Sequence, residues 1–258
     1  MSLIFTERSS TLERIDLEPM SAEITAHVMR ALEKTNLWLG GVHATIARLR
    51  IFSQRWTPGS RVQFIDWGTG GADVPRAIVR WCRRRGFQAE VTAVDNNATT
   101  IDYARTACAD YPEITVQRAD LNDFSPADHS FDYALSSLTL HHLKNQEIVG
   151  LLKHSDRVAR RGIIMNDLKR SARAWAWIWT LSRILRAPAI FQDDAPLSVK
   201  RAFEKTELLD LARQAGLPYL TVKTHFGYRY TLAGEKPHPP LSAVPPLPMG
   251  EGLGVRRV

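Results

Sequence analysis

The sequence predicts an α/β fold built on a mostly parallel sheet. From Arg61 onward, short apolar runs such as VQFIDW and AEVTAVD alternate with amphipathic segments of about a dozen residues, which is typical of βαβ units. Strands joined by helices of that length lie parallel and are buried on both faces of the sheet. The last two runs, YLTVKTHF and YRYTLAG, are separated only by the region of Gly227. We therefore expect a hairpin that ends the sheet with one antiparallel strand.

The composition is that of an ordinary globular protein. The chain has 258 residues, a formal charge of +7 at neutral pH, 44% hydrophobic residues and 24% charged residues, which excludes a wholly disordered, collagenous or coiled-coil chain. Glu7 and Arg8 interrupt the first apolar run, so no secretion signal is predicted. No run approaches the roughly 20 apolar residues of a membrane-spanning helix. Cys82 and Cys108 form no C-x-x-C pair, so we predict no disulfide framework, no metal site and a reducing, cytoplasmic location.

The first 60 residues are predicted to form a helical cap. Apolar positions recur at helical spacing from Ile24 to Leu32, and Ser21 is placed to cap the start of that helix. Gly40 and Gly41 then break the pattern. Asn36 and Trp38 lie just before these glycines.

Residues 61–234 are predicted to form the α/β domain, with residues 169–191 as a helical lid within it. A helix is expected from about Glu204 to Gln214, ahead of the final hairpin. Residues 235–258 read as a disordered tail, because PHPPLSAVPPLPMG is rich in proline and carries little periodic apolar surface.

A glycine-rich turn follows the first predicted strand. The strand ends at Asp66, and Gly68 and Gly70 follow before a helix begins near Asp73. Glycines let the backbone bend sharply and let a ligand approach the main chain. A G-x-G-x-x-G dinucleotide motif starting at Gly68 would end at Asp73, whose carboxylate would repel a pyrophosphate at the helix start. The pattern favours a ligand with a cationic end near Asp66, and a tight turn without any ligand is the alternative.

Polar residues also follow the next three predicted strands. Asp95 ends the second, where a carboxylate can accept both hydroxyls of a ribose. Asp120 and Leu121 follow the third, and Ser136 lies at the end of the fourth. Strand ends converge on the crevice in which open α/β sheets bind ligands, although each acid taken singly is equally typical of a helix cap or a turn.

With these motifs in place, the stretch from about Arg61 to Gly234 resembles the class I S-adenosylmethionine-dependent methyltransferases. The D-x-G-x-G-x-G motif of that family is represented by Asp66, Gly68 and Gly70, and Ala72 stands where the last glycine would be. The resemblance implies a Rossmann-like sheet of seven strands closed by a terminal antiparallel hairpin.

The same resemblance implies that the N-terminal helices, with Asn36, Trp38, Gly40 and Gly41, complete the substrate pocket. It also implies S-adenosylmethionine as cofactor and a set of contacts to it. The implied contacts are Asp66, Gly68, Thr69 and Gly70 for the methionine part, Asp95 with Asn96 beside it for the ribose, Asp120 and Leu121 for the adenine, and Ser136 beside the sulfonium.

Within that family, FDYALSSLTLHHL resembles the branch that includes the ubiquinone and menaquinone C-methyltransferases and many small-molecule methyltransferases of secondary metabolism. The stretch Ser136–Thr139 lacks the Asn/Asp/Ser-Pro-Pro-aromatic tetrad of enzymes that methylate adenine or glutamine amines. Neither cysteine lies near it to serve as the nucleophile for cytosine C5 chemistry. Modification of nucleic-acid bases is therefore disfavoured.

His141 and His142 directly follow this strand and are the candidates for catalysis. A histidine near its ordinary pKa can take a proton from a phenol or enol acceptor or orient its oxygen. Paired histidines open a helix at this place in many relatives with different substrates, so a purely structural role is the alternative.

The predicted lid carries a cluster of basic residues and alternating tryptophans. The basic residues are Lys169, Arg170, Arg173, Arg183 and Arg186, and the tryptophans are Trp175, Trp177 and Trp179. Three interpretations compete: a helix packed on the domain with its arginines in solvent, a lid over an apolar substrate with weak membrane-surface contact, and a nucleic-acid surface. No RNA-binding motif accompanies the charge, which makes a nucleic-acid partner the weakest of the three.

The sequence thus predicts a cytoplasmic S-adenosylmethionine-dependent methyltransferase that acts on oxygen or activated carbon of a small apolar or aromatic metabolite. A methyltransferase-like protein that binds the cofactor or a partner without turnover is the first alternative, and an RNA methyltransferase is the second.

Overall fold

The computed structural model describes residues 5–17, 20–121 and 123–237. Its centre is a seven-stranded sheet with the order β3-β2-β1-β4-β5-β7-β6. The strands are β1 (Arg61–Trp67), β2 (Gln88–Asp95), β3 (Ile114–Arg118), β4 (Phe131–Ser137), β5 (Ala159–Leu168), β6 (Thr221–His225) and β7 (Arg229–Glu235). The first five run parallel, and β7 is antiparallel to both β5 and β6. The predicted fold class and terminal hairpin are confirmed.

Helices cover both faces of this sheet and the end at which its parallel strands terminate. They are α1 (Arg14–Leu17), α2 (Ala22–Trp38), α3 (Gly41–Phe52), α4 (Asp73–Arg85), α5 (Ala98–Ala107), α6 (Asn145–Val158), α7 (Ala172–Ile184), α8 (Ala189–Arg201) and α9 (Lys205–Gln214). Short 3-10 turns lie at Ser53–Arg55 and Leu140–His142. None of the helices within the described ranges is long and apolar enough to cross a bilayer.

Local sequence signals explain where several helices begin and end. Ser21 caps α2 by accepting a hydrogen bond from the backbone of Ile24, as predicted. Gly40, at φ +75°, separates α2 from α3. Gly86, at φ +73°, ends α4 after a basic last turn, which stabilises the negative end of the helix dipole.

The apolar core has two parts, one on each face of the sheet. Successive side chains of β1 enter opposite parts, because strand residues alternate between faces. Phe64 packs with Ile78 of α4 on one side, while Ile65 packs with Ile148 of α6 on the other. All four are fully buried, which confirms that the sheet is covered on both faces.

The sheet order places the ligand crevice. Strand order reverses at β1, which pairs with β2 on one side and β4 on the other. In open α/β sheets, ligands bind at such a switch point, outside the carboxyl ends of the strands. The helices α1, α2, α7 and α8 lie over this end of the sheet, and Asp194 of α8 holds α1 by accepting from the backbone N–H groups of Arg14 and Ile15 at 2.8 and 3.0 Å.

The structure revises two predicted boundaries. The lid segment 169–191 forms two helices rather than one, and the second, α8, continues to Arg201. The break lies at Arg186, which has a φ of +48°, and Pro188, which caps α8 and cannot continue a helix. The predicted tail begins too early, because Glu235 is the last residue of β7 and pairs with Gly162. The remainder of that tail, 238–258, lies outside the described residues.

Candidate active site

A cavity of about 510 Å³ lies at the carboxyl ends of the parallel strands, within the size range of small-molecule sites. One wall comes from the strand ends and is polar: Gly68, Thr69, Gly70, Gly71, Asp73, Asp95, Asn96, Asn97, Leu121 and Ser137. A second wall comes from α2, α7 and α8 and is mainly apolar: Val28, Met29, Leu32, Ala174, Trp177, Ile178, Ile190, Phe191, Ala195 and Val199 line the cavity, together with the polar residues Glu33, Thr35, Asn36, Asp194 and Ser198. The cavity therefore has a polar half and an apolar half.

The glycine turn forms the floor of the polar half. Gly68 and Gly70 have φ values of +64° and +54°, a conformation that favours glycine. A Cβ on Gly68 would lie 2.5 Å from Oγ1 of Thr139, so the close approach of these two segments also requires glycine. The N–H of Gly70 donates to Oδ2 of Asp95 at 2.9 Å. The turn after β1 and the end of β2 are thereby joined.

Asp66 lies behind this turn and is almost fully buried. Its Oδ2 accepts a hydrogen bond from the Thr69 hydroxyl at 2.7 Å, while Oδ1 has no partner among the described residues. Burial raises the pKa of the carboxyl group to about 7, and the hydrogen bond from Thr69 only partly opposes this. A cationic group reaching Oδ1 would satisfy both the orphaned atom and the buried charge.

We expect Asp66→Asn to stabilise the protein at pH 8 but not at pH 4. A buried carboxyl whose pKa is raised from 3.8 to about 7 takes up a proton on folding between these values, so its destabilising effect grows as pH rises through that range and is complete above it. The variant should gain on the order of 1 kcal/mol or more at pH 8. Thermal melts of the unliganded protein at both pH values measure this change, and Asp102→Asn, at an exposed position, is the control. An equal gain in stability at pH 4 and pH 8 would contradict a buried Asp66 carboxyl with a raised pKa.

Asp95 and its neighbours form the polar wall beside the turn. Besides Gly70, the Asp95 carboxylate accepts from the backbone N–H of Asn97 at 3.0 Å, and burial raises its pKa despite these bonds. Asn97 caps α5 by accepting from the backbone of Thr100 at 3.1 Å. Asn96 lines the cavity between them. Asp95 is therefore held in place with its carboxylate at the cavity.

Three of the predicted contacts, Asp66, Asp120 and Ser136, lie beside the cavity rather than on its wall. The hydroxyl of Ser136 donates to the carbonyl of Trp67 at 2.8 Å inside the sheet, and Ser137 lines the cavity in its place. Leu121 lines the cavity, but Asp120 is not among the lining residues. Strand alternation explains the correction at Ser136, because neighbouring residues of β4 face opposite sides.

His141 and His142 lie together on the cavity wall, with ring centroids 4.3 Å apart. Nδ1 of His141 is 2.7 Å from Oδ1 of Asp167 at the end of β5. Nδ1 of His142 is 3.0 Å from Oδ2 of Asp16 in α1. Each ring is thus oriented by a carboxylate hydrogen-bonded to Nδ1. Its Nε2 is then the ring nitrogen available to bind a ligand or to transfer a proton.

Glu13 lies opposite these two Nε2 atoms. Its Oε1 is 3.7 Å from Nε2 of His141, and its Oε2 is 3.9 Å from Nε2 of His142. Glu13 is only 3% exposed. Burial opposes protonation of His142, but the hydrogen bond to Asp16 and the charge of Glu13 outweigh it and raise the pKa of the imidazole. Glu13, Asp16 and Asp167 were not predicted from the sequence, because no local motif connects the residues in and before α1 with the end of β5.

A second polar chain crosses the cavity. Arg229 of β7, only 1% exposed, donates to Oδ1 of Asn36 at 2.9 Å, and Nδ2 of Asn36 donates to Oδ2 of Asp73 at 3.0 Å. Burial lowers the pKa of Arg229 to about 10 and raises that of Asp73. Of the four pocket residues expected from the N-terminal region, Asn36 lines the cavity; Trp38, Gly40 and Gly41 do not.

The basic character of the lid is lower than its sequence indicates. Arg170 is buried and donates to both carboxylate oxygens of Glu207 at 2.8 and 2.9 Å. Arg183 stacks over the ring of Trp179 at 4.1 Å. These two arginines of the predicted cluster are therefore engaged in contacts within the chain.

Comparison with known proteins agrees with the geometry. Residues 64–162 match the model of a methyltransferase domain family. No curated protein sequence matches the chain. Among solved structures, the chain is similar to a SAM-dependent methyltransferase from Aquifex aeolicus, with 15% identity, a TM-score of 0.57 and coverage of 84% of this chain and 99% of that one.

Two further structures give the same picture. The chain is similar to human N-acetylserotonin methyltransferase in complex with SAM (15% identity, TM-score 0.59, 84% of this chain and 56% of that chain). It is also similar to magnesium protoporphyrin IX methyltransferase from Synechocystis with bound SAH (15% identity, TM-score 0.52, 87% and 92%). At these identities the likeness establishes the fold.

The sheet is Rossmann-like and carries its cavity at the strand ends. The comparisons make this more specific: residues 64–162 match a methyltransferase domain, and the fold of the chain is that of solved S-adenosylmethionine-dependent methyltransferases. The residues present fit that cofactor, since the orphaned oxygen of Asp66 suits its ammonium group, and the turn is open to a ligand at Gly70, where a Cβ would meet nothing nearer than Sδ of Met29 at 3.9 Å.

Proposed function

We propose that this chain is a class I S-adenosylmethionine-dependent methyltransferase that methylates oxygen or activated carbon of a small apolar or aromatic metabolite, as the small-molecule methyltransferases of secondary metabolism do. One observation carries the proposal: the cavity joins a polar cofactor wall to an apolar wall made of α2, α7 and α8. Apolar lining with a few placed polar groups is typical of sites for small organic ligands. A negatively charged polynucleotide would find little to bind on that apolar wall.

The polar wall is proposed to hold the cofactor, whose sulfonium supplies an electrophilic methyl group. Asp95 would accept hydrogen bonds from the ribose hydroxyls, Leu121 would contact the adenine, and Asp66 would pair with the ammonium group. The chain's main task is then alignment of the acceptor with the methyl group, which can supply roughly 7–11 kcal/mol of the barrier. We propose that Ser137, rather than Ser136, lies beside the reacting group.

His141 and His142 are proposed to act on the acceptor through their Nε2 atoms. They line the cavity together with the end of β4 and with Ile178 and Phe191 of the apolar wall. Proton acceptance by a histidine held by Asp167 or Asp16 is one chemistry that suits this arrangement, and ligation of a cation is another. In either case, the histidines belong to the acceptor half of the site.

The apolar wall is proposed to be a lid that selects the acceptor, and Trp177 tests this. Trp177 lines the cavity yet is 54% exposed, so its removal should leave folding intact. We expect Trp177→Ala to raise KM for an apolar aromatic acceptor about tenfold with little change in kcat, because it removes binding shared by ground and transition states. Initial rates with a panel of phenols, quinols and long-chain enols measure this.

Trp179→Ala is the matched control. Trp179 lies on the same helix, is 42% exposed and stacks on Trp175 at 6.3 Å, but it is not among the residues that line the cavity. Its KM should stay at the wild-type value. Equal increases in KM for the two variants would contradict the proposal that α7 and α8 form a lid that selects the acceptor. Turnover on RNA but on no member of the panel would contradict the proposal that the acceptor is a small apolar or aromatic metabolite.

Weak contact of the lid with a membrane surface is part of the same proposal. The exposed apolar residues of α7 and its C-cap include Trp177, Trp179, Ile184 and Leu185, and tryptophan next to arginine suits a membrane interface. Cosedimentation of the protein with anionic vesicles at physiological salt should be detectable. Its absence would contradict contact between the lid and a membrane surface.

A further inference from the structure

We propose that Glu13, His141 and His142 form a binding site for a divalent transition-metal ion inside the cavity. One carboxylate oxygen of Glu13 and one ring nitrogen of each histidine lie within 4.8 Å of one another. Two ligands at about 2.0–2.2 Å from one ion lie at most about 4.4 Å apart, and the carboxylate-to-nitrogen separations of 3.7 and 3.9 Å are within that limit. Two histidines and one carboxylate with open positions suit Zn²⁺ or Fe²⁺.

The surroundings of the two histidines match those of metal ligands. A metal-bound histidine usually donates the N–H of its other ring nitrogen to a carboxylate. This hydrogen bond fixes the ring and directs the ligating nitrogen at the ion. Here both histidines have this partner: Asp167 for His141 and Asp16 for His142. Both Nε2 atoms then point at the same glutamate. A single histidine with a carboxylate would suit a general base, but two of them converging on a third acid suit a shared ion better.

The carboxylate of Glu13 supplies an independent observation. The side chain is 3% exposed, Oε2 accepts from the hydroxyl of Ser198 at 2.9 Å, and Oε1 has no hydrogen-bond partner in the described part of the chain. An orphaned buried carboxylate oxygen is costly unless something positive reaches it. The site is thus formed from Glu13 just before α1, the two histidines of the 3-10 turn after β4, and Ser198 of α8, which are far apart in sequence.

Arg201 is the rival partner for this oxygen. Its Nε lies 3.7 Å from Oε1, but that N–H is donated to the carbonyl of His141 at 2.9 Å, and Nη2 donates to the carbonyl of His142 at 2.9 Å. Arg201 therefore holds the histidine backbone in place and leaves Oε1 to accept another cation. In this arrangement Arg201 is a positioning residue for both ligands.

An ion held at this point would face the acceptor half of the cavity. It would bind and polarise an acceptor oxygen as a Lewis acid and favour its ionised, nucleophilic form. This role rests on the proposed methyl transfer, whereas the binding of the ion does not. The two are therefore separable by experiment.

The test is metal binding by the full chain in the absence of cofactor and acceptor. The protein is freed of metal with a chelator, dialysed against micromolar Zn²⁺ or Fe²⁺ (the latter under anaerobic conditions), and its bound metal is measured by elemental analysis and calorimetry. We expect one ion per chain, and we expect Glu13→Gln and His142→Ala to weaken its binding at least about 100-fold. Asp16→Asn should weaken it about 10- to 100-fold, as loss of a partner to a metal-bound histidine does.

His27→Ala is the matched control, because His27 is exposed on α2 and its Nδ1 is hydrogen-bonded to the carbonyl oxygen of Glu23 in the same helix. It should bind the ion as the wild type does. Binding of S-adenosylhomocysteine to Glu13→Gln reports whether that variant is folded. Absence of stoichiometric binding in the wild type, or binding that survives in Glu13→Gln and His142→Ala, would overturn the metal site. If the ion binds as expected but no acceptor is methylated, the proposed function fails and the site stands.

Discussion

Replacement of Asp95 by alanine should abolish cofactor binding at micromolar concentrations. The carboxylate is expected to accept two hydrogen bonds from the ribose, and in the structure it also holds the glycine turn through the N–H of Gly70 at 2.9 Å. Hydrogen bonds to a charged group contribute about 1.5–3 kcal/mol each, so the dissociation constant for S-adenosylmethionine should rise at least about 100-fold. Calorimetric titration with S-adenosylmethionine and S-adenosylhomocysteine measures it.

Asp102→Ala makes the same change at an exposed position of α5, where the carboxylate pairs with Arg105. It should bind both ligands as the wild type does. Retention of micromolar affinity by Asp95→Ala would place the ribose elsewhere. The absence of binding even in the folded wild-type protein would leave only the methyltransferase fold.

Gly68→Ala should be the most damaging small substitution in the turn. At φ +64° an L-residue is strained by roughly 1–2 kcal/mol, and the added Cβ would meet Thr139 at 2.5–2.6 Å, which adds an overpacking cost of about 1–3 kcal/mol. We expect a loss of unfolding free energy of about 2–5 kcal/mol, together with loss of cofactor binding because the turn must shift. Chemical denaturation and calorimetry measure the two effects.

Two variants separate the contributions to this effect. Gly86→Ala introduces the same strain at φ +73°, but its Cβ meets no atom within 4 Å, so it should cost only about 1–2 kcal/mol and leave cofactor binding intact. Thr139→Ala removes the atoms nearest to the new Cβ, so the double variant with Gly68→Ala should recover part of the stability. If Gly68→Ala were no worse than Gly86→Ala, the close approach of Thr139 would play no part.

Much of the polar wall of the cavity and of the turn behind it could be located from the sequence. Asp66, Gly68, Gly70 and Asp95 belong to short segments whose roles depend on position at a strand end, and strand ends can be located from local apolar patterns. Which of Ser136 and Ser137 lines the cavity could not be predicted from the sequence, because the face of the sheet on which a strand residue lies depends on the register of that strand. That register is set by pairing with β1 and β5.

The surroundings of His141 and His142 and the helices over the cavity were only partly predicted. His141 and His142 were identified by their position after β4, and a lid was placed between β5 and α9. Their carboxylate partners were not identified, since Glu13 precedes His141 by more than a hundred residues and lies in a segment without a recognisable motif. Arg170 was read as part of a basic surface, although it is buried and paired with Glu207.

The sequence by itself determined the fold class, the glycine turn and the acids at the strand ends, because each depends on the spacing of residues within about a dozen positions. Only the tertiary structure decided which charges are solvated, which serine faces the cavity, and that the segment preceding α1 brings Glu13 to the two histidines. These facts depend on packing between elements distant in the chain, where burial and the demand for hydrogen-bond partners select the contacts.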